Sequence, residues 1–204
     1  NPKLSELYHP FSMGETAENV ARQWSISREA QDKFAWESQQ KWKAAKDAGK
    51  WEDEIIPVNV PQRKGDPILV DIDEHPRPEV SLKKLNTLKP AFSTEPDATV
   101  TPGNSSGVND GAAAIVLVEE TVAKTHGLNI MGYVGASAST GVDPAIMGTG
   151  PIPAVQKLFQ RTGLTLQDID VFELNEAFAA QSIACIQELG VDPETVNVNG
   201  GAIA

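Results

Sequence analysis

Val171-Phe172-Glu173-Leu174-Asn175-Glu176-Ala177-Phe178-Ala179-Ala180-Gln181 runs on through an apolar stretch to Leu189, and Val196-Asn197-Val198-Asn199-Gly200-Gly201-Ala202-Ile203-Ala204 follows. The short apolar run from Val171 to Leu174 reads as a buried strand, Glu176 to Leu189 as a helix, and Val196 to Val198 as a second strand. Working backwards, Ile152 to about Arg161 has helical periodicity, and Ile130 to Ala138 and Ala112 to Val118 read as further buried strands. Glu119 to His126 reads as a helix ended by Gly127. This βαβαβ alternation predicts an α/β fold: a parallel sheet covered by helices, with ligands near the carboxyl ends of the strands.

Asn175 stands where a strand meets a helix. A helix start leaves backbone N–H groups unpaired and carries partial positive charge, and a carboxamide there can anchor a water or polarise an oxygen. Its position alone is better met by a plain N-cap, with Glu176 favourable in the first helical turn.

The half before Gly103 has a different texture, mixed α+β. Thr16 to Asp47 is helical with a break at Ser25 to Ser27, where Ser27 caps a second helix and Gly49 ends it. Glu54 to Val60 and Pro67 to Ile72 read as short strands around a Gly65-Asp66 turn. Ser81 caps a short helix toward Leu88. A boundary is predicted near Gly103 to Asp110.

With 204 residues, 40% of them hydrophobic, the chain has enough apolar content for a sizeable core. A net charge of −11 argues against a general nucleic-acid coat, which needs clustered Lys and Arg. One local basic patch, Arg77, Lys83, Lys84 and Lys89 against Glu79, could receive an anion or be a solvated face. No run approaches the roughly 20 apolar residues of a membrane span, and a soluble cytoplasmic protein is expected. The single cysteine, Cys185, excludes an intramolecular disulfide and a CxxC pair. His9, His75 and His126 share no metal-ligand spacing, so no metal is expected. Asn1 is not an initiator residue and the chain closes on a Gly-rich apolar run. Both ends therefore read as positions inside a longer protein, with N-terminal processing as the alternative for Asn1.

The motifs occur in a fixed order: Met13-Gly14-Glu15-Thr16-Ala17-Glu18-Asn19, Lys89-Pro90-Ala91-Phe92, the glycine- and serine-rich run Gly103 to Ala113, Gly141-Val142-Asp143-Pro144, Met147 to Pro151, then NEAFAAQ at 175–181 and NVNGGAIA at 197–204. This series resembles the thiolase family over essentially the whole chain. The resemblance implies part of a layered thiolase-like α/β fold. Residues 1–107 would form the loop domain that binds coenzyme A, 108–128 the last strand and helix of the N-terminal domain, and 129–204 the first part of the C-terminal domain.

The family's reaction, as the resemblance implies it, is acyl transfer between coenzyme A thioesters through a covalent acyl-cysteine. The nucleophilic cysteine would precede Asn1, while the activating histidine and second cysteine would follow Ala204. Cys185, without an adjacent cation, reads as a small core residue. Asn175 would hold a water in the first oxyanion site. Ala177, Phe178, Met13 and Met147 match acyl-pocket positions, with ordinary packing as the alternative for the methionines. Arg77, Ser106 and Phe92 match positions that contact coenzyme A: a guanidinium for phosphate, a hydroxyl for a pantetheine amide, an aromatic wall for the pantetheine arm. Acyl-coenzyme A and coenzyme A are the implied ligands, with no bound cofactor, and a homodimer or homotetramer is the implied assembly.

Two departures, Pro102 where many relatives have Ala and Ser12 where some short-chain members have His, leave acyl length open. Ketoacyl synthases share the architecture but carry paired histidines where this chain has Asn175-Glu176, which argues against them. A non-catalytic module that binds coenzyme A or a partner is the remaining alternative, and the 204 residues alone are expected to be inactive.

Overall fold

The computed structural model describes residues 2–7 and 9–204, so Asn1 lies outside it. Helix α1 spans Pro2–Leu7, α2 Met13–Gln23 and α3 Arg28–Asp47. The break between α2 and α3 falls where the sequence places it, and Ser25 takes the left-handed conformation there (φ 52°). Ser12 and Glu15 form a reciprocal capping box at the start of α2, with Ser12 N donating to Glu15 Oε2 at 2.7 Å. Ser27 caps α3 by accepting from Ala30 N at 3.1 Å. Strands β1 (Val58–Val60) and β2 (Ile68–Val70) pair antiparallel around the Gly65 turn, and Ser81 caps α4, Leu82–Leu85.

The second half contributes α5 (Glu120–Thr125), α6 (Pro151–Thr162) and α7 (Ala179–Leu189), with 3₁₀ turns at Pro144–Thr149, Leu166–Asp168 and Pro193–Thr195. Helix α7 is the centre of the molecule. It packs on α2, α3, α6 and the Pro144–Thr149 turn. Ala179, Ala184, Ile186 and the preceding Phe178 each join a different apolar cluster. Small side chains allow this: Ala179, Ala180, Ala184 and Cys185 are fully buried, and their short side chains let neighbouring backbones approach closely.

Polar groups fasten the segment before Gly103 to this core. The buried Glu18 carboxylate on α2 accepts from Thr99 N, Thr99 Oγ1 and Val100 N at 2.9–3.1 Å. On α3, the fully buried Asp32 pairs with Arg28 at 2.9 Å. Arg28 Nη2 in turn donates to Leu85 O and Leu88 O, satisfying carbonyls at and beyond the end of α4.

The fold is α/β, but the predicted βαβαβ ladder is not assembled. Residues 112–118 and 130–138 form no strand among the described residues, and the apolar side chains expected to be buried are exposed. Val116 is 87% and Val134 82% accessible. A strand exists through lateral partners, and neither stretch pairs its backbone with another strand among the described residues; 130–138 is met only by side-chain bonds, Tyr133 Oη to Glu120 and Arg161 Nη1 to Ser137 O. Val171–Leu174 and Val196–Val198 do meet in parallel, but through a single bridge, Phe172 to Val196. The pairing stops because Asn197 turns the chain in the left-handed region (φ 46°).

Glu18→Ala should strand the Thr99 and Val100 amides in the core and lower the unfolding free energy by about 2–4 kcal/mol. Exposed Asp53→Ala should change it by less than about 0.5 kcal/mol. Urea denaturation of the two variants checks the contrast.

Candidate active site

Two segments meet edge to edge in front of α7. Ser106 N donates to Ala177 O at 3.1 Å, Ala179 N donates to Asn104 O at 2.9 Å, and Ser105 and Phe178 form an antiparallel bridge. Asn104 makes the serine-glycine run more than a turn. Its buried carboxamide donates to Asp32 Oδ1 and Thr99 O and accepts from Thr101 N at 2.8 Å.

The aromatic wall is assembled from distant positions. Phe92 and Phe178 contact edge to face, with centroids 5.8 Å apart and planes at 89°. The Phe92 ring lies directly over Gly14: a Cβ there would sit 2.0 Å from the ring, so the glycine is required by contact. Met13, the first residue of α2, is 61% exposed beside this wall's attachment point. Met147 is also exposed, on the 3₁₀ turn that packs against α2 and α7. The next residue, Gly148, holds that turn tightly to α7, since a Cβ on it would lie 2.6 Å from Gln181 Cγ.

Asn175 is not a helix cap. Helix α7 begins at Ala179 with Phe178 in the N-cap position, because the bridge to Ser105 keeps the chain extended through Phe178. Glu176 is likewise outside the first turn and points inward, 2% exposed. Its Oε2 accepts from Ser38 Oγ at 2.7 Å and Ile203 N at 3.1 Å, and its Oε1 from Asn197 Nδ2 at 2.9 Å. Asn197 also clamps Leu174 from both sides: Leu174 N donates to Oδ1 and Nδ2 donates to Leu174 O, each at 2.8 Å. Asn175, between these two fixed residues, is exposed, and its carboxamide has no hydrogen bond to the described residues.

The two glycines of the 197–204 motif follow from the same packing. A Cβ on Gly200 (φ 89°) would lie 2.7 Å from Trp42 Cβ, and one on Gly201 would lie 2.2 Å from Glu176 Cδ. Gly201 N donates to Ser38 Oγ at 3.1 Å.

Arg77 lies on the adjoining loop. Its Nη1 donates to the carbonyls of Glu74, His75 and Pro76, which fixes the exposed guanidinium to its own turn. The neighbouring His75 abuts Gly107, where a Cβ would be 2.6 Å from His75 Cε1. The loop is thereby brought beside Ser106. Lys83, Lys84 and Lys89 are exposed farther along the same segment.

The structure therefore gathers Phe92, Ser106, Ala177 and Phe178 around one junction, with Asn175 two residues from it and Arg77 on a neighbouring loop. Met13 and Met147 are exposed on α2 and the Pro144–Thr149 turn, the elements that pack on α7. Sequence reasoning overlooked Ser38, Glu176 and Asn197, whose signal is polar residues inside apolar motifs next to paired glycines. Cys185 is buried, its Sγ 3.6 Å from Gly148 O, and burial pushes its thiol up to about 11 despite a contact from Gln181. No group of three or more His, Cys, Asp or Glu converges as a metal site among the described residues.

Residues 1–121 match the model of the thiolase N-terminal domain and residues 128–204 that of the thiolase C-terminal domain. The chain belongs to the thiolase family. An acetyl-CoA acetyltransferase of Allochromatium vinosum is 53% identical over 201 residues, which is 98% of this chain and 50% of the relative. The crystal structure of the Bacillus anthracis acetyl-CoA acetyltransferase superposes with a TM-score of 0.90 at 44% identity, covering 96% of this chain and 49% of that one. The dimeric peroxisomal thiolase of Saccharomyces cerevisiae gives 0.88 at 46% identity, covering 95% and 48%. This thiolase-family chain thus spans about half the length of the relatives it matches.

Because its pKa is raised above the ordinary 9.0, Cys185 favours the folded state only while the thiol is neutral. That contribution should fall as pH rises through 9 toward 11, where an unfolded chain ionises first. Iodoacetamide at pH 8 should leave Cys185 unlabelled in the folded chain and label it fully in denaturant, read by intact mass. Rapid native labelling would contradict the burial.

Proposed function

We propose that the full-length protein is an acyltransferase that makes acetoacetyl-coenzyme A or cleaves 3-ketoacyl-coenzyme A through a covalent acyl-cysteine. The observation that carries this reading is Asn175: an exposed, unpartnered carboxamide on a junction held from both sides, next to the Phe92, Ser106 and Phe178 wall. Its Nδ2 donates to a water or directly toward the thioester oxygen as negative charge develops there. A hydrogen-bond donor placed at a developing oxyanion typically contributes about 10²–10³-fold to kcat.

In this reading Ala177 and Phe178 shape the acyl pocket, Met13 and Met147 close it, and Phe92 faces the pantetheine arm. Ser106 meets a pantetheine amide, and Arg77 meets a phosphate with the guanidinium edge its loop carbonyls leave free. Cys185 is not the nucleophile. That cysteine, the activating histidine and a second cysteine for the carbon–carbon step lie outside these 204 residues, and the 204 residues alone form no acyl-enzyme. The chemistry calls for no metal or other cofactor.

The same reading divides the chain into a coenzyme A-binding loop domain at 1–107, the end of the N-terminal domain at 108–128 and part of the C-terminal domain at 129–204. It also takes the full-length protein to be a cytoplasmic homodimer or homotetramer in fatty acid metabolism. The name of the dimeric yeast relative supports the dimer. No helix of the described residues is long and apolar enough to cross a membrane.

In the full-length protein, thiolysis of acetoacetyl-coenzyme A or a longer homologue should be measurable, and Asn175→Ala should lower kcat by about 10²-fold. Arg77→Ala should instead raise KM for coenzyme A roughly tenfold, an effect that shrinks as salt is added. Tight coenzyme A binding with no thiolysis at any chain length would favour the non-catalytic module.

A further inference from the structure

The Glu176 carboxylate is buried without a Lys, Arg or His nitrogen within 4.0 Å among the described residues. Neutral donors alone hold it, and they come from three places in the chain: Ser38 on α3, Asn197, and the Ile203 amide. A buried carboxylate is costly unless its lone pairs are met, so the three segments are locked to one another. Asn197 takes a left-handed backbone (φ 46°), which asparagine tolerates better than most residues with a side chain, and makes three side-chain hydrogen bonds from it. Two of those go to Leu174, the residue before Asn175, and the third to Glu176, the residue after it.

Among the described residues the Asn175 side chain has no hydrogen-bond partner, so what the bonds to Leu174 and Glu176 fix is the backbone from which its carboxamide projects. Packing could have held the turn with apolar residues. A polar side chain bonded to both neighbours of one free carboxamide is what a positioning device looks like.

We propose that Asn197 and Glu176 are positioning residues that aim Asn175, and that Ser38 couples their network to Gly201. The proposal rests on the reading of Asn175 as an oxyanion donor. Asn197 never touches the substrate. It acts by holding the backbone from which the carboxamide reaches a developing oxyanion, where N–H donation is strong only over a narrow range of positions.

The test is a double-mutant cycle in the full-length protein, with acetoacetyl-coenzyme A thiolysis as readout. Asn197→Gly keeps the left-handed backbone available and removes only the side-chain clamp. It should lower kcat about tenfold or more while KM for coenzyme A stays within about twofold. In an Asn175→Ala background, the same substitution should change kcat by less than about twofold, because the residue it aims is gone. If Asn197→Gly fails to fold, Ser38→Ala enters the same cycle with the same expected non-additivity.

An equal loss from Asn197→Gly in both backgrounds means a merely structural role and overturns the proposal, as does wild-type kcat in Asn197→Gly alone. Wild-type kcat in Asn175→Ala is a different failure: it removes the oxyanion reading itself.

Discussion

One carboxylate and its neutral donors organise the site half of this molecule. Glu176 draws α3, the Leu174–Phe178 junction and the 197–203 loop onto a single pair of oxygen atoms. The bonds are short and the group is buried, so moving any one segment leaves an unmet charge in a medium of low dielectric. Several sequence features become consequences of that arrangement. Gly201 must lack a side chain because the carboxylate occupies its place, and Gly200 because α3 lies against it. Asn197 takes a left-handed backbone conformation, and from it its amide atoms reach Leu174 and Glu176 together.

The rest of the core complements this polar centre. Helix α7 joins three apolar clusters through Ala179, Ala184 and Ile186, and Phe178 at its entrance joins a fourth and meets the Phe92 ring that seals over Gly14. By contrast, 112–118 and 130–138 expose apolar side chains that pair with nothing described. The contrast is one of density: the segments around Glu176 are tied by buried polar bonds and close packing, whereas 130–138 is held only by exposed bonds from Tyr133 to Glu120 and from Arg161 to Ser137 O.

Several helices were legible in the sequence because they announce themselves locally. Ser27 and Ser81 cap, Gly49 and Gly127 end, and the apolar spacing of α3 and α6 is plain, whereas α1 and the Ser12 cap of α2 went unread. The hairpin around Gly65 was readable for the same reason. Strands at 112–118 and 130–138 were not, because apolar content marks a segment that wants burial without naming its lateral partner. At the site, the family motifs led to Asn175, Phe92, Ser106 and Phe178. The cap reading of Asn175 failed because a long-range bridge, Ser105 to Phe178, overrides a local preference. Ser38 was invisible, since a serine within a helix carries no local sign that a carboxylate far along the chain will need its hydroxyl.

The most direct measurement is the structure of the full-length protein with acetoacetyl-coenzyme A or an unreactive analogue, at a resolution that orders waters. The thioester oxygen, or a water bound to it, should lie about 2.7–3.1 Å from Asn175 Nδ2, with Glu176 still meeting Ser38, Asn197 and Ile203. A ligand whose reacting carbonyl lies away from Asn175, or an Asn175 turned into a bond with its own protein, would contradict the account.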